Sequence, residues 1–99
     1  MVSGNMLGDR YLKILRTISL YYGIDEENFI LLLREKENKY LLLLLLKKYK
    51  CMDEKTLMCI LNYKSKKSIF NNIKKAEEKL LINKEFRDKF FEIEESLLK

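Results

Sequence analysis

The sequence contains no histidine and no proline, only three glycines and only two cysteines. Without histidine, the chain cannot build a histidine-containing metal site or nuclease centre, and no activated nucleophile completes a catalytic set. The absence of proline and the scarcity of other turn residues disfavour an all-β protein with many tight turns. The sequence therefore predicts a protein that is not an enzyme and that binds no metal, no other cofactor and no small-molecule substrate.

The two cysteines, Cys51 and Cys59, have no further metal ligands near them in sequence. The N-terminal stretch MVSGNMLGDRYLK lacks an apolar segment of signal-peptide length, so a disulfide is not expected. Both cysteines are predicted to be small buried groups in a cytoplasmic protein. The longest apolar run, Leu41 to Leu46, is six residues, far short of the ~20 that a membrane span requires.

At 99 residues, 47% of them hydrophobic and 35% charged, the chain is expected to be one soluble, helix-rich domain over residues 1–99. Residues 1–5 are interpreted as a disordered tail or an artificial leader. Residues 36–76 carry eleven lysines and three acidic residues, a net charge of +8, whereas residues 1–35 sum to −1 and residues 77–99 to −2. A positive charge concentrated in one segment is typical of proteins that bind polyanions. The alternative is a generally lysine-rich composition without a binding role.

Apolar spacing predicts an all-α bundle of about six helices. The first helix is expected from about residue 6 to 22 and to end at Gly23, and a short second helix follows a cap at Asp25. The six leucines predict a central third helix, with a buried strand as the competing interpretation. Asp53 and Ser65 are the expected caps of the next two helices, and a break near residue 83 precedes the last. The buried faces are predicted to contain Tyr11, Ile14 or Leu15, Ile18, Tyr21, Phe29, Ile30, Leu33, Leu57, Ile60, Leu61, Ile69, Ile73, Ala76, Leu80, Phe86, Phe90, Ile93 and Leu97; Leu7 is also assigned to the core.

The segment DEKTLMCIL, a turn at Asn62 and Tyr63, and a helix from Ser65 together predict a helix-turn-helix. In this motif the N-terminal end of the second helix faces the DNA major groove. Lysine and serine side chains there can contact phosphates or purine edges, and asparagine can pair with adenine. The predicted DNA-binding residues in and around the second helix are Lys64, Ser65, Lys66, Lys67, Ser68, Asn71 and Lys74.

From about residue 18 to 98 the chain resembles the C-terminal DNA-binding domain of the bacterial replication initiator DnaA, a Trp-repressor-like helix-turn-helix. The resemblance runs through LYYGIDEENFILLL, NKYLLLLLLKKYKCMDEKTLMCIL and SIFNNIKKAEEKLLINKEFRDKFFEIEESLL. It places Lys39 where the family has an arginine that enters the minor groove. It also places Lys66 to Ser68 where the family has a histidine and two threonines.

The apolar positions match that family, whereas the positions that contact bases differ. The family's glycine pair is Asn62-Tyr63 here, its arginine is Lys64, and its aspartate is Ser65. Lysine does not reproduce the planar two-pronged donor set of arginine. The resemblance therefore implies the fold and binding to double-stranded DNA rather than recognition of the initiator's own box. Related domains are also appended to mobile-element transposases, so the chain could be a fragment of one.

Two classes of function remain open from the sequence. The first is sequence-specific or semi-specific binding of double-stranded DNA. The second is a protein-interaction module on the same fold, whose basic face holds an acidic partner protein. The sequence leaves the recognised DNA sequence and the oligomeric state undetermined.

Overall fold

Every regular element within residues 6–99 is a helix, which confirms the all-α prediction. The computed structural model describes the backbone of residues 6–99 and the side chains of that range except at positions 6–9, 26 and 60. Its helices are α1 (Met6–Tyr22), α2 (Phe29–Leu32), α3 (Lys36–Lys48), α4 (Glu54–Ile60), α5 (Lys66–Ile82) and α6 (Lys84–Leu98), with a 3-10 turn (Glu26–Asn28) before α2. The interpretation of residues 1–5 and the core assignments of Leu7 and Ile60 fall outside the described parts. None of the described helices combines the length and apolarity that a membrane crossing needs.

Helix α3 is the centre of the bundle. Its six consecutive leucines, residues 41–46, are all buried, because α1, α5 and α6 pack around it. A run of six apolar residues covers every side of a helix, so only a helix with neighbours on most sides can bury all of them. The prediction of a central helix is confirmed, and the competing strand interpretation is wrong.

The helix ends follow the capping residues that the sequence offers. Gly23 ends α1 with a φ of +68°, in the left-handed region that glycine enters without steric cost. Asp53 caps α4 by accepting a hydrogen bond from the Lys55 amide, and Ser65 caps α5 by accepting one from the Ser68 amide. Asn62, between the two helices, has a φ of +58°, a conformation that asparagine tolerates better than most residues. The predicted boundaries of this region are therefore confirmed.

The short segment before α3 differs from the prediction. The Asp25 carboxylate was predicted to accept a hydrogen bond from a backbone amide at the start of this helix. The Asn28 amide instead donates to the main-chain carbonyl of Asp25, within the 3-10 turn. Phe29 and Leu33 are buried as predicted, but Ile30 is 57% exposed. A four-residue helix packs on one side only. Phe29 and Leu33, four residues apart, occupy that side and turn Ile30 away from it.

Two other predicted core residues lie at the surface. Cys59 is exposed, because Leu57 and Leu61 occupy the buried side of α4 and a residue midway between them points outward; Cys51 is buried as predicted. Tyr21 is also exposed, and its hydroxyl donates to Glu92. Tyr22, four residues after the buried Ile18, packs inward instead.

A buried carboxylate joins α6 to the end of α3. Glu94 accepts a hydrogen bond from the Tyr49 hydroxyl at 2.7 Å and forms a salt bridge with Lys48. Burial by itself would raise the pKa of Glu94, but the Lys48 ammonium and the Tyr49 hydroxyl outweigh it, so the pKa lies below its usual value. Burial and the bond to Glu94 raise the pKa of Tyr49 to about 12. The carboxylate is therefore charged and the phenol neutral at physiological pH.

Candidate nucleic-acid interface

Helices α4 and α5 pack against each other through buried apolar residues on both sides of the turn. Leu57 of α4, Leu61 directly after it, and Ile69 and Ile73 of α5 are at most 4% exposed. Residues 61–65 connect the two helices, with the left-handed Asn62 reversing the chain. The segment therefore has the helix order of the predicted helix-turn-helix, with a five-residue connection.

The outward side of α5 carries the residues assigned to DNA. Because Ile69, Ile73 and Ala76 define the buried side, Lys67, Asn71 and Lys74 lie on the opposite one, and all three are exposed. Asn72 is partly buried, and its side-chain amide donates to the Ser68 carbonyl at 2.8 Å. Asn71, not Asn72, is therefore the asparagine on the outward side, as the sequence predicts.

The first turn of α5 combines a cap with free backbone donors. The Ser65 hydroxyl oxygen accepts the Ser68 amide at 3.2 Å and lies 3.3 Å from the Ser68 hydroxyl. The amides of Lys66 and Lys67 precede the capped amide, and the first N–H groups of a helix have no intrahelical partner. Such N–H groups at a positive helix end are suitable phosphate donors. Ser65 is thus primarily the residue that holds this end in place.

Lys66 points to α4 rather than along the outward side of α5. Its ammonium lies 3.1 Å from the Glu54 carboxylate, at the start of α4. Lys66 and Lys67 are adjacent in sequence, but a helix turns successive side chains about 100° apart. The pair is solvent-exposed, and exposed ion pairs contribute only about 0–1 kcal/mol, so Lys66 can exchange Glu54 for a phosphate. Its predicted DNA contact remains a prediction.

Lys39 lies beside the turn although it comes 24 residues before Tyr63 in the sequence. Its ammonium lies 5.8 Å from the centre of the Tyr63 ring, within the range of a cation–π interaction. Tyr63 is partly buried. Burial is the main cause that raises the pKa of its phenol, and the nearby Tyr40 adds to it, so the phenol stays neutral. The packing of α3 therefore places Lys39 beside Tyr63, the residue that precedes Lys64.

The basic residues of segment 36–76 fall into paired and unpaired groups. Lys47, Lys48 and Lys66 form salt bridges with Glu77, Glu94 and Glu54. The other eight lysines of the segment form no salt bridge within the described residues. Four of them are exposed at the turn and on α5, namely Lys64, Lys67, Lys74 and Lys75. The other exposed, unpaired lysines of the segment are Lys36, Lys50 and Lys55, so the turn and α5 together hold the largest group of them.

Two residues of this surface were not among the predicted site residues. Lys75 is exposed four residues after Asn71, a spacing that the sequence already contains. Phe70 is 53% exposed, although it follows the fully buried Ile69. Sequence patterning alone did not identify Phe70 as a surface residue, because an aromatic residue beside an apolar stripe more often belongs to the core.

Comparisons of the chain with protein-family models, with curated proteins and with solved structures found no match.

Proposed function

We propose that this domain binds double-stranded DNA through α4, the turn and α5, with α5 lying in the major groove. The observation that supports this most is the set of exposed, unpaired lysines at the turn and on the outward side of α5. A folded protein gains no stability from placing like charges together, so such a cluster is better explained by an anionic partner. The resemblance to the replication-initiator domain supports the same proposal.

Each part of the surface has a distinct role in the proposal. Lys39, Lys64, Lys66, Lys67, Lys74 and Lys75 neutralise phosphates, and the first amides of α5 add uncharged donors. Asn71 pairs with an adenine edge and supplies direct base readout. Lysine ammonium groups satisfy a phosphate with little geometric demand, so the domain is expected to bind many sequences and to prefer some.

The test measures affinity for random duplex DNA at a series of salt concentrations. If six lysines meet phosphates, counterion release gives a slope of log affinity against log salt of about −5. The variant Lys67→Gln/Lys74→Gln should flatten the slope by about 2. A matched control, Lys13→Gln/Lys50→Gln, removes two exposed lysines that line a separate groove with Arg10 and Tyr49, and it should keep the wild-type slope.

The alternative function is a protein-interaction module that uses the same basic face for an acidic partner. No duplex binding at low salt, or a slope near zero, would contradict the DNA proposal and favour this alternative. Equal effects of the two double variants would show that binding follows net charge and not this surface.

A further inference from the structure

Phe70 is an exposed aromatic side chain in the middle of a basic surface. Ile69 before it is fully buried, whereas Phe70 leaves 53% of its surface to solvent. Exposing a large apolar side chain forgoes the free energy that burial would provide. Other exposed apolar residues of α5, Leu81 and Ile82, lie at its C-terminal end, more than ten residues from Phe70.

The surroundings of Phe70 are positively charged. On a helix the neighbours of residue 70 are residues 66, 67, 73 and 74, of which Lys66, Lys67 and Lys74 are exposed lysines and Ile73 is buried. Asn71 lies beside it on the outward side. An apolar side chain surrounded by cations is complementary to a groove that has negative charges along its edges and apolar groups on its floor. The DNA major groove has this arrangement, with phosphates at its edges and thymine methyl groups on its floor.

We propose that Phe70 packs against the 5-methyl groups of thymines and so gives the domain a preference for thymine at the positions that face the middle of α5. This inference rests on the proposed DNA binding. It also agrees with the proposed role of Asn71, because an adenine bound by Asn71 is paired with a thymine. The two residues would together favour A·T pairs, one through hydrogen bonds and the other through an apolar contact.

The experiment compares thymine with deoxyuridine, which lacks only the 5-methyl group and keeps every hydrogen-bonding group of the base pair. Duplexes selected from a random pool by the wild-type domain are prepared in both forms. Burying a methyl group corresponds to about a threefold to fourfold change in affinity. The wild-type domain should therefore lose about that factor for each contacted thymine that is replaced.

Three variants assign the effect to Phe70. Phe70→Ala should bind the thymine and deoxyuridine duplexes equally. Phe70→Leu, which keeps an apolar side chain, should retain discrimination. Leu81→Ala removes an exposed apolar residue from the far end of the same helix and should behave like the wild-type domain. Circular dichroism checks that each variant is folded. We expect all three to fold, because Phe70 and Leu81 are both exposed.

The outcomes separate this inference from the proposed function. If the wild-type domain binds duplexes but does not distinguish the two bases, the role of Phe70 is wrong and DNA binding stands. The same conclusion follows if replacing thymine by deoxyuridine weakens the binding of Phe70→Ala as much as it weakens the binding of the wild-type domain. If the wild-type domain binds no duplex at low salt, the proposed function is wrong and the inference fails with it.

Discussion

At the scale of single residues, Lys67 and Asn71 lie one turn apart on the outward side of α5 but offer different chemistry. Lysine carries a point charge on a flexible stem, and asparagine carries a fixed pair of donor and acceptor. The two residues are therefore expected to affect different properties of DNA binding.

Lys67→Ala should lower affinity for all duplex sequences alike and should reduce the salt slope by about 1. The reason is that one phosphate contact releases about one counterion, whatever the neighbouring base. Affinity measured on several unrelated duplexes across a salt series checks this. A change in the preferred sequence would show instead that Lys67 contacts a base edge.

Asn71→Ala should flatten the sequence preference and leave the salt slope nearly unchanged. A good bidentate pair between asparagine and adenine discriminates by about 1–3 kcal/mol, and the side chain carries no charge. Selection of bound sequences by the variant and by the wild-type domain provides the comparison. Asn72→Ala serves as the control, since the Asn72 amide is already bound to the Ser68 carbonyl. An unchanged preference in Asn71→Ala would remove Asn71 from the interface.

At the scale of elements, α4 and α5 begin with different caps, and the cap of α4 carries a charge. The Thr56 hydroxyl donates to the Asp53 carboxylate at 2.7 Å, and the Lys55 amide donates to it at 3.2 Å. The hydrogen bond from the Thr56 hydroxyl is the largest influence on the pKa of Asp53, and the backbone amides of Thr56 and Lys55 act in the same direction. Together they lower this pKa below its usual value of 3.8. The folded state therefore favours the charged form of this residue.

The Asp53 cap should make stability depend on pH in the acid range. Because the pKa of Asp53 is lower in the folded state, its contribution is fully present above about pH 4 and is lost as pH falls through the folded value. Asp53→Asn keeps a capping side chain but removes the charge, so its urea midpoint should fall less steeply below about pH 4. Thr56→Val, which removes the hydroxyl that donates to Asp53, should likewise make the urea midpoint fall less steeply below about pH 4. If the urea midpoints of the wild-type domain and of both variants fall equally steeply with pH, the charge of Asp53 does not stabilise the fold.

At the scale of the whole molecule, stability depends on α3, whose leucines contact helices on most sides. A 99-residue domain has a free energy of unfolding of roughly 5–15 kcal/mol. The surface proposed to bind DNA contributes little to this core, because its lysines are exposed and the buried side of α5 is a separate stripe. Binding and stability can therefore be changed separately.

Leu43→Ala should lower the free energy of unfolding by about 2–5 kcal/mol, because it leaves a cavity in a fully buried position. Each kcal/mol corresponds to a fall in melting temperature of roughly 4–8 °C for a domain of this size. Leu20→Ala is the matched control, since Leu20 is 79% exposed and should change stability by no more than about 0.5 kcal/mol. Similar losses in the two variants would show that α3 is not the centre of the core.

The sequence by itself determined the long helices, most of the helix ends and most of the buried residues. These features depend on interactions between residues three or four positions apart, such as the cap at Ser65 and the stripe of Ile69, Ile73 and Ala76. Such interactions are visible in the order of residues, and for the same reason the outward position of Asn71 was predicted correctly. The errors at Ile30, Tyr21 and Cys59 lie where apolar residues outnumber the places on the buried side, which spacing alone does not resolve.

Only the tertiary structure decided which side chains meet across elements. It placed Lys39 beside Tyr63, directed Lys66 to Glu54, bound Lys48 and Tyr49 to Glu94, and left Phe70 half exposed. Each of these contacts or exposures depends on the angles and offsets at which helices cross. Those angles are set by the packing of the whole core around α3, and no local stretch of sequence contains them.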